Sequence, residues 1–146
     1  MTYDLKASFG YQLSRAARAV ERGFEIELRA LDLTRLQWSL LLAVGQDGVR
    51  SPSDLGTHYA LDRAVVSRGV SRLCELGYLD STAPAEDGRA RVLDVTEAGR
   101  AAMEAGIEAA RRNAEAMLDV LRPRPRIRIL ELLAEFNAAH SRSDSF

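Results

Sequence analysis

The most constraining feature of the sequence is a pair of short helical patterns separated by only Ala60-Leu61. Ser51 starts the first pattern as an N-cap residue, and Pro52 suits the first helical position that follows it. This pattern ends near Tyr59. Asp62 starts the second, which ends at Gly77, where a left-handed backbone favours glycine. Two helices joined so closely are typical of a helix-turn-helix.

Directly behind this pair the pattern changes from helical spacing to two extended runs, at 78–85 and 89–95. The connection Glu86-Asp87-Gly88 contains the Asp-Gly pair that favours a hairpin. A helix-turn-helix followed by a hairpin is a winged helix, and we predict one over residues 33–99. The second helix of the pair then becomes the candidate recognition helix, because the major groove of DNA admits one α-helix.

Long helical patterns flank this part on both sides. Apolar residues at steps of three and four predict an amphipathic helix over 5–30, and a capping box of Thr34 with Gln37 starts the next helix, over 35–44. Thr96 caps a further helix with a heptad seam, which two prolines end. A last helix over 125–139 is expected to bury four large apolar residues: Ile129, Leu130, Leu133 and Phe136.

The predicted fold is therefore mainly α with a small β-hairpin wing (α+β), and residues 1–146 form a single domain. The apolar seams of the flanking helices are too large for so small a body to cover, so residues 1–32 and 100–146 are predicted to be dimerisation helices. The alternative is a monomer in which the first and last helices pack on each other.

The exposed side of the recognition helix is the first candidate for DNA contact. Its apolar stripe faces inward, and between Arg63 and Leu73 there are three arginines and no acid. Arginine binds guanine with two hydrogen bonds. The serine hydroxyl can bond to a donor or an acceptor on a base edge, and alanine can contact a thymine methyl group. The candidate DNA-binding residues of this helix are Arg63, Ala64, Ser67, Arg68, Ser71 and Arg72. The alternative is a solvated helix face with incidental arginines.

The hairpin tip is the second candidate, since it places Arg89 and Arg91 beside Asp87 on a protruding loop. An arginine at such a tip can enter the narrow minor groove, where the negative potential is strongest. Asp87 would be useful there only if it pairs with an arginine and fixes that side chain's direction. A charged turn without a DNA role is the alternative.

Composition excludes several function classes. The net charge of −1 argues against indiscriminate nucleic-acid binding, although the local field at the groove decides. No apolar run is long enough for a membrane span and no secretory signal begins the chain, so a cytoplasmic location is expected. Cys74 with His58 and His140 cannot supply a zinc site from sequence neighbours, and no catalytic constellation stands out. We predict no enzyme activity, metal or cofactor.

The residues also resemble a known family. Asp87-Gly88-Arg89 followed by Thr96-Glu97-Ala98-Gly99 is similar to the wing motif of the multiple-antibiotic-resistance regulator (MarR) family, and Ser53-Asp54-Leu55 and Leu76-Gly77-Tyr78-Leu79 match it as well. The resemblance implies a homodimer that binds a palindromic operator as a repressor and is released by a small aromatic or phenolic ligand. It assigns Ser67, Arg68 and Arg72 to the recognition helix and Asp87 and Arg89 to the wing. Gly88 departs from the charged residue that relatives often carry.

Two further groups of residues have two interpretations each. A candidate effector pocket lies where the first and second helices should meet, with Arg18 available for a carboxylate; its residues are Phe9, Leu13, Arg18, Trp38 and Leu42. An ordinary core with a surface arginine is the alternative. The basic run 122–128 is interpreted either as a contact to DNA phosphates or as a solvated helix junction. For the whole chain, the competing function is a winged-helix protein-interaction module without specific DNA binding.

Overall fold

The structure, a computed structural model, describes residues 3–82 and 91–140. Within these ranges it contains six α-helices and one antiparallel pair of strands. The helices are α1 (Phe9–Leu28), α2 (Arg35–Gly45), α3 (Pro52–Tyr59), α4 (Arg63–Glu75), α5 (Glu97–Leu118) and α6 (Pro123–His140), and the strands are β1 (Leu79–Thr82) and β2 (Val92–Val95). No helix in these ranges has the length and apolar content needed to cross a membrane.

Local signals place most helix ends where the sequence predicts them. Thr34 and Gln37 form the capping box at the start of α2. The hydroxyl of Ser51 accepts a hydrogen bond from the Asp54 amide at 3.1 Å, and Gly77 has the left-handed φ of 71°. Asp62 stands at the N-cap of α4, but its side chain makes no capping hydrogen bond. The predicted helix start is therefore correct, whereas the predicted capping bond is absent.

The first helix differs from its prediction. Instead of one helix over 5–30, a 3-10 turn at Leu5–Ala7 is followed by Ser8 in an extended conformation, and only then does α1 begin. The carboxylate of Asp4 accepts hydrogen bonds from the amides of Lys6 and Ala7, and such local bonds compete with a continuous helix. At the other end of the chain, α6 begins at Pro123, two residues earlier than expected.

The hydrophobic core lies mainly in the winged-helix part and also includes Leu28 of α1 and Ala102 and Met103 of α5. Helix α2 is at its centre and packs against α4 on one side and α5 on the other. Close approach is possible because Gly69 of α4 faces Leu40, and Gly106 of α5 faces Trp38, at positions where an added Cβ would clash. Strands β1 and β2 pair from Leu79–Val95 to Thr82–Val92. The fully buried large side chains are Leu28, Leu40, Leu41, Leu55, Val66, Leu73, Leu79 and Leu93.

The flanking helices bury much less. The C-terminal half of α1 lies along α5, where the Asn113 side-chain amide donates to the Val20 carbonyl oxygen at 2.9 Å. None of the residues of α6 is buried within the described chain. The prediction that the last helix buries Ile129, Leu130, Leu133 and Phe136 is therefore wrong for a single chain, because no helix in the described ranges packs along α6 to cover them.

Candidate nucleic-acid interface

The recognition helix α4 is anchored by its inner face. Val66, Gly69, Val70 and Leu73 are buried against the core. The six residues that the sequence assigns to DNA contact are all exposed: Arg63, Ala64, Ser67, Arg68, Ser71 and Arg72. The structure therefore agrees with the predicted division of this helix into a buried apolar stripe and an exposed surface that carries the arginines.

The turn before α4 is tighter than its sequence suggests. Ala60 adopts a left-handed conformation with φ 51°, and the amide of Leu61 donates to the Gly56 carbonyl oxygen at 2.9 Å. Alanine seldom takes this conformation, so the turn carries some strain that the surrounding packing must hold. This turn sets α3 and α4 at the angle that leaves a groove between them.

That groove, which we call the α3–α4 groove, has a volume of about 960 Å³ and reaches from α3 across α4 to the residue before β2. Four predicted DNA-binding residues line it together: Arg63, Ser67 and Ser71 from α4, and Arg91 from the wing. Two guanidinium groups and several hydroxyl groups therefore converge on one concave surface. Asp62 is the acid that also lines it.

The other predicted residues divide into two groups. Ala64, Arg68 and Arg72 are exposed on α4 but do not line the groove. The guanidinium of Arg72 lies 3.3 Å from the Glu75 carboxylate, so its charge is partly compensated within the helix. Asp87 and Arg89 lie outside the described residues.

Sequence reasoning missed the contribution of α3 to this surface. Pro52, Ser53 and Thr57 line the wall of the groove opposite α4. The cap at Ser51 fixed where α3 begins, but the side of α3 that faces α4 depends on the left-handed turn at Ala60. No signal in the sequence indicates that turn, because alanine rather than glycine occupies it.

The candidate effector residues are not brought together within one chain. The indole of Trp38 meets Phe24 edge-on at 5.0 Å and its N–H donates to the Met103 carbonyl oxygen at 3.4 Å, whereas Phe9 packs on Phe136 at 5.5 Å. Phe9 and Phe24 are separated by roughly 22 Å along α1 at 1.5 Å per residue. Leu13 and Leu42 are half-buried and Arg18 is exposed. This pocket stays a prediction.

The basic run 122–128 forms a helix junction. A guanidinium N–H of Arg126 donates to the Leu118 carbonyl oxygen at 3.0 Å, which closes the C-terminus of α5. Arg128 lies 3.2 Å from Glu131 and 3.6 Å from Glu135. Helix α5 begins beside the wing and is about 33 Å long at 1.5 Å per residue, so this run lies far from the α3–α4 groove. The structure favours the junction over phosphate contact.

Cys74 is half-buried at the end of α4. Burial raises the pKa of its thiol, the neighbouring Asp80 raises it further, and Arg91 opposes the shift. The thiol is therefore protonated near neutral pH and behaves as a small apolar side chain. Among the residues that the structure describes, no three His, Cys, Asp or Glu side chains are grouped so as to hold a metal ion.

The fold and the α3–α4 groove together define a winged helix-turn-helix protein of the DNA-binding class. A sequence model of the MarR family matches residues 31–90, which include α2, α3, α4 and β1. This part of the chain is therefore similar to the MarR family. The predicted fold class, family and non-enzymatic character agree with these comparisons.

Three similar proteins illustrate the match. The HTH-type transcriptional repressor IacR of Pseudomonas putida is 29% identical over 61% of this chain, and the alignment spans only 53% of IacR. The HTH-type transcriptional repressor NicR of P. putida is 28% identical over 90% of this chain and 83% of NicR. The solved structure of Bordetella bronchiseptica BpsR superposes with a TM-score of 0.76 and 25% identity, covering 94% of this chain and 99% of BpsR.

Proposed function

We propose that this chain is a homodimeric transcriptional repressor that binds a palindromic DNA operator and is released by a small aromatic or phenolic ligand. The observation that carries the proposal is the α3–α4 groove, where arginines from the recognition helix and from the wing line one surface. Arg63 and Arg91, 28 positions apart in the sequence, meet there with the hydroxyl groups of Ser53, Thr57 and Ser67. Guanidinium and hydroxyl groups donate hydrogen bonds to the phosphate oxygens of DNA and to acceptors on its base edges.

The charges on this surface are available for DNA. Within the described residues, Arg63, Arg68 and Arg91 form no ion pair, whereas Arg112 lies 2.7 Å from Glu27 and Arg35 lies 3.0 Å from Glu21. Those two arginines are thus partly neutralised by neighbouring acids. A locally positive surface can attract a polyanion even though the net charge of the chain is −1.

Dimerisation is supported by the apolar residues that one chain leaves open. Phe9 is 66% exposed, and on α6 Leu130 and Phe136 are 54% and 37% exposed. A second copy that covers these helices would remove a contiguous apolar surface from water. Two-fold symmetry would then present two α4 helices to successive major grooves about 34–36 Å apart, and such a pair of helices requires a palindromic site.

The relatives support repression and ligand release. IacR and NicR are transcriptional repressors, and the DNA binding of BpsR is regulated by 6-hydroxynicotinic acid. We extend that chemistry to this chain as a proposal: an aromatic acid, with the residues of the candidate effector pocket as its first candidates. A cytoplasmic location belongs to the same proposal.

The test is operator binding by fluorescence anisotropy, with DNA fragments from the region upstream of the coding sequence. Arg63→Ala and Arg68→Ala should each weaken binding about tenfold and lower the salt dependence by about one counterion per lost phosphate contact. Arg122→Ala removes the same charge from an exposed position at the far end of α5 and should change affinity by less than about twofold.

The outcome separates the two functions. If the wild-type chain binds no DNA above the level of random sequence, the proposed operator binding fails and the protein-interaction module is the remaining candidate. If Arg122→Ala weakens binding and Arg63→Ala does not, the basic run rather than the α3–α4 groove contacts the duplex. Addition of 6-hydroxynicotinic acid or salicylic acid to the wild-type complex tests release, which is observed as a loss of anisotropy.

A further inference from the structure

The segment that precedes α3 is attached to the wing at two neighbouring points. The amide of Leu93 in β2 donates to the Arg50 carbonyl oxygen at 2.8 Å. The guanidinium of Arg50 also forms an ion pair and hydrogen bond with the carboxylate of Asp94, the next residue of β2. A single residue therefore holds the strand through both its backbone and its side chain.

Arg50 and Asp94 join the two sides of the α3–α4 groove. Arg50 directly precedes Ser51, the N-cap of α3, and α3 supplies Ser53 and Thr57 to one wall. Asp94 lies in β2, which begins directly after Arg91, the wing residue that lines the groove. The position of Arg91 relative to α3 thus depends on how β2 is fixed to the segment that ends at Arg50.

The pairing of the two strands shows why Arg50 is needed. Asp94 stands directly opposite Asp80 in the register of β1 and β2, and both side chains are exposed on the sheet. Like charges directly opposite each other destabilise an antiparallel pair. The guanidinium of Arg50 offsets this repulsion at Asp94. Without it, two carboxylates would face each other at the base of the wing.

We propose that Arg50 and Asp94 are positioning residues for DNA binding, which hold the wing strand against the start of α3 so that Arg91 faces the groove. The inference rests on the proposed function. The inference goes beyond the proposed function, because it gives a role in DNA binding to Asp94, an acid beside the proposed DNA-binding surface. An acid there repels phosphates, so simple electrostatics requires its removal to strengthen binding. If Asp94 positions the wing, its removal should instead weaken binding.

The experiment measures operator affinity at several salt concentrations for the wild-type chain, Asp94→Ala, Arg50→Asp and the double variant Arg50→Asp/Asp94→Arg. Asp94→Ala should weaken operator binding about three- to fivefold, the loss expected for an exposed ion pair, with an unchanged salt dependence because no phosphate contact is removed. Arg50→Asp should weaken it further. The double variant should recover most of that loss, since the pair is restored with its charges exchanged.

Two controls keep the result specific. Glu108→Ala removes an acid from the ion pair with Arg111 within α5 and should leave operator affinity unchanged within twofold. Thermal unfolding of each variant gives the fraction of folded protein at the assay temperature, and the loss of affinity should exceed the loss of folded protein. A pair that merely stabilises the fold would lower affinity only in proportion to that loss. Affinity for random DNA should fall less than affinity for the operator.

Tighter operator binding by Asp94→Ala, or a double variant no better than Arg50→Asp, overturns the inference while leaving the proposed function intact. A loss of affinity that follows the loss of folded protein overturns it too. If the wild-type chain itself does not bind operator DNA, it is the proposed function that fails.

Discussion

The winged-helix part and the flanking helices use their apolar residues differently. In the first, leucines of α2, α3, α4 and both strands are removed from water within one chain, as at Leu40, Leu55 and Leu93. In the second, α6 has no buried residue, and Val120, just before it, is 85% exposed. The core beside the α3–α4 groove is complete within one chain, with Leu28 of α1 and Met103 of α5 contributing to it, whereas α6 and the second half of α5 stay open.

The long helix α5 shows the boundary between the two parts. Its buried residues begin at Gly99 beside the wing and end at Asn113, and the seam residues beyond that point, Ala114 and Met117, are exposed. The first half of α5 belongs to the self-contained core and the second half to the open surface. This difference teaches that folding of the DNA-binding part and assembly of the dimer should respond to different substitutions.

The largest effect should come from truncating a core leucine. Leu73→Ala removes a fully buried side chain from the contact of α4 with the core. Its loss leaves a cavity and should lower the free energy of unfolding by about 2–5 kcal/mol. Denaturant unfolding followed by circular dichroism measures this value.

Leu133→Ala is the matched control, because it makes the same truncation on α6, where the side chain is 38% exposed in one chain. It should weaken self-association, measured by sedimentation, and affect unfolding of dilute protein less than Leu73→Ala does. Equal losses of unfolding free energy in both variants, without a change in association, would remove the distinction between the two parts.

A smaller effect should separate two helix caps within the winged-helix part. The Thr96 hydroxyl accepts from the Gly99 amide at 2.9 Å and donates to the Gly77 carbonyl oxygen at 2.6 Å, whereas Asp62 makes no capping bond. Thr96→Ala should lower the free energy of unfolding by about 1 kcal/mol and Asp62→Ala by much less. Thermal unfolding of the pair measures the difference, and the reverse order would contradict the geometry.

The sequence was most informative where a signal acts over a few residues. The caps at Thr34, Ser51 and Thr96 and the left-handed Gly77 all lie where they were predicted, because each depends on its own turn of helix. The buried and open sides of α4 follow from helical periodicity for the same reason.

Features that depend on distant parts of the chain were not predictable in this way. The contribution of Ser53 and Thr57 to the groove depends on the turn at Ala60, and the separation of Phe9 from Trp38 depends on the packing of α1 along α5. The sequence predicts that the apolar face of α6 is buried in the core. An apolar stripe alone does not indicate whether it packs against the same chain or against another.

The smallest effect concerns Cys74, which reports on the winged-helix part alone. Because the pKa of its thiol is raised in the folded state, that state binds the proton more tightly than the unfolded chain does. The resulting stabilisation is complete below the ordinary thiol pKa of about 8.5 and is lost as the pH rises through the raised value. The free energy of unfolding should therefore decrease slightly in alkaline solution, and less so in Cys74→Ala.

The thiolate is the species that reacts, so Cys74 should react with a disulfide reagent at pH 8 more slowly than the same cysteine in unfolded protein. Leu133→Ala should leave this rate unchanged, since it alters only the open face of α6, while Leu73→Ala should raise it because the neighbouring core opens more often. A rate that rises equally in both variants would mean that α6 also protects the end of α4, and the two parts would then open as one.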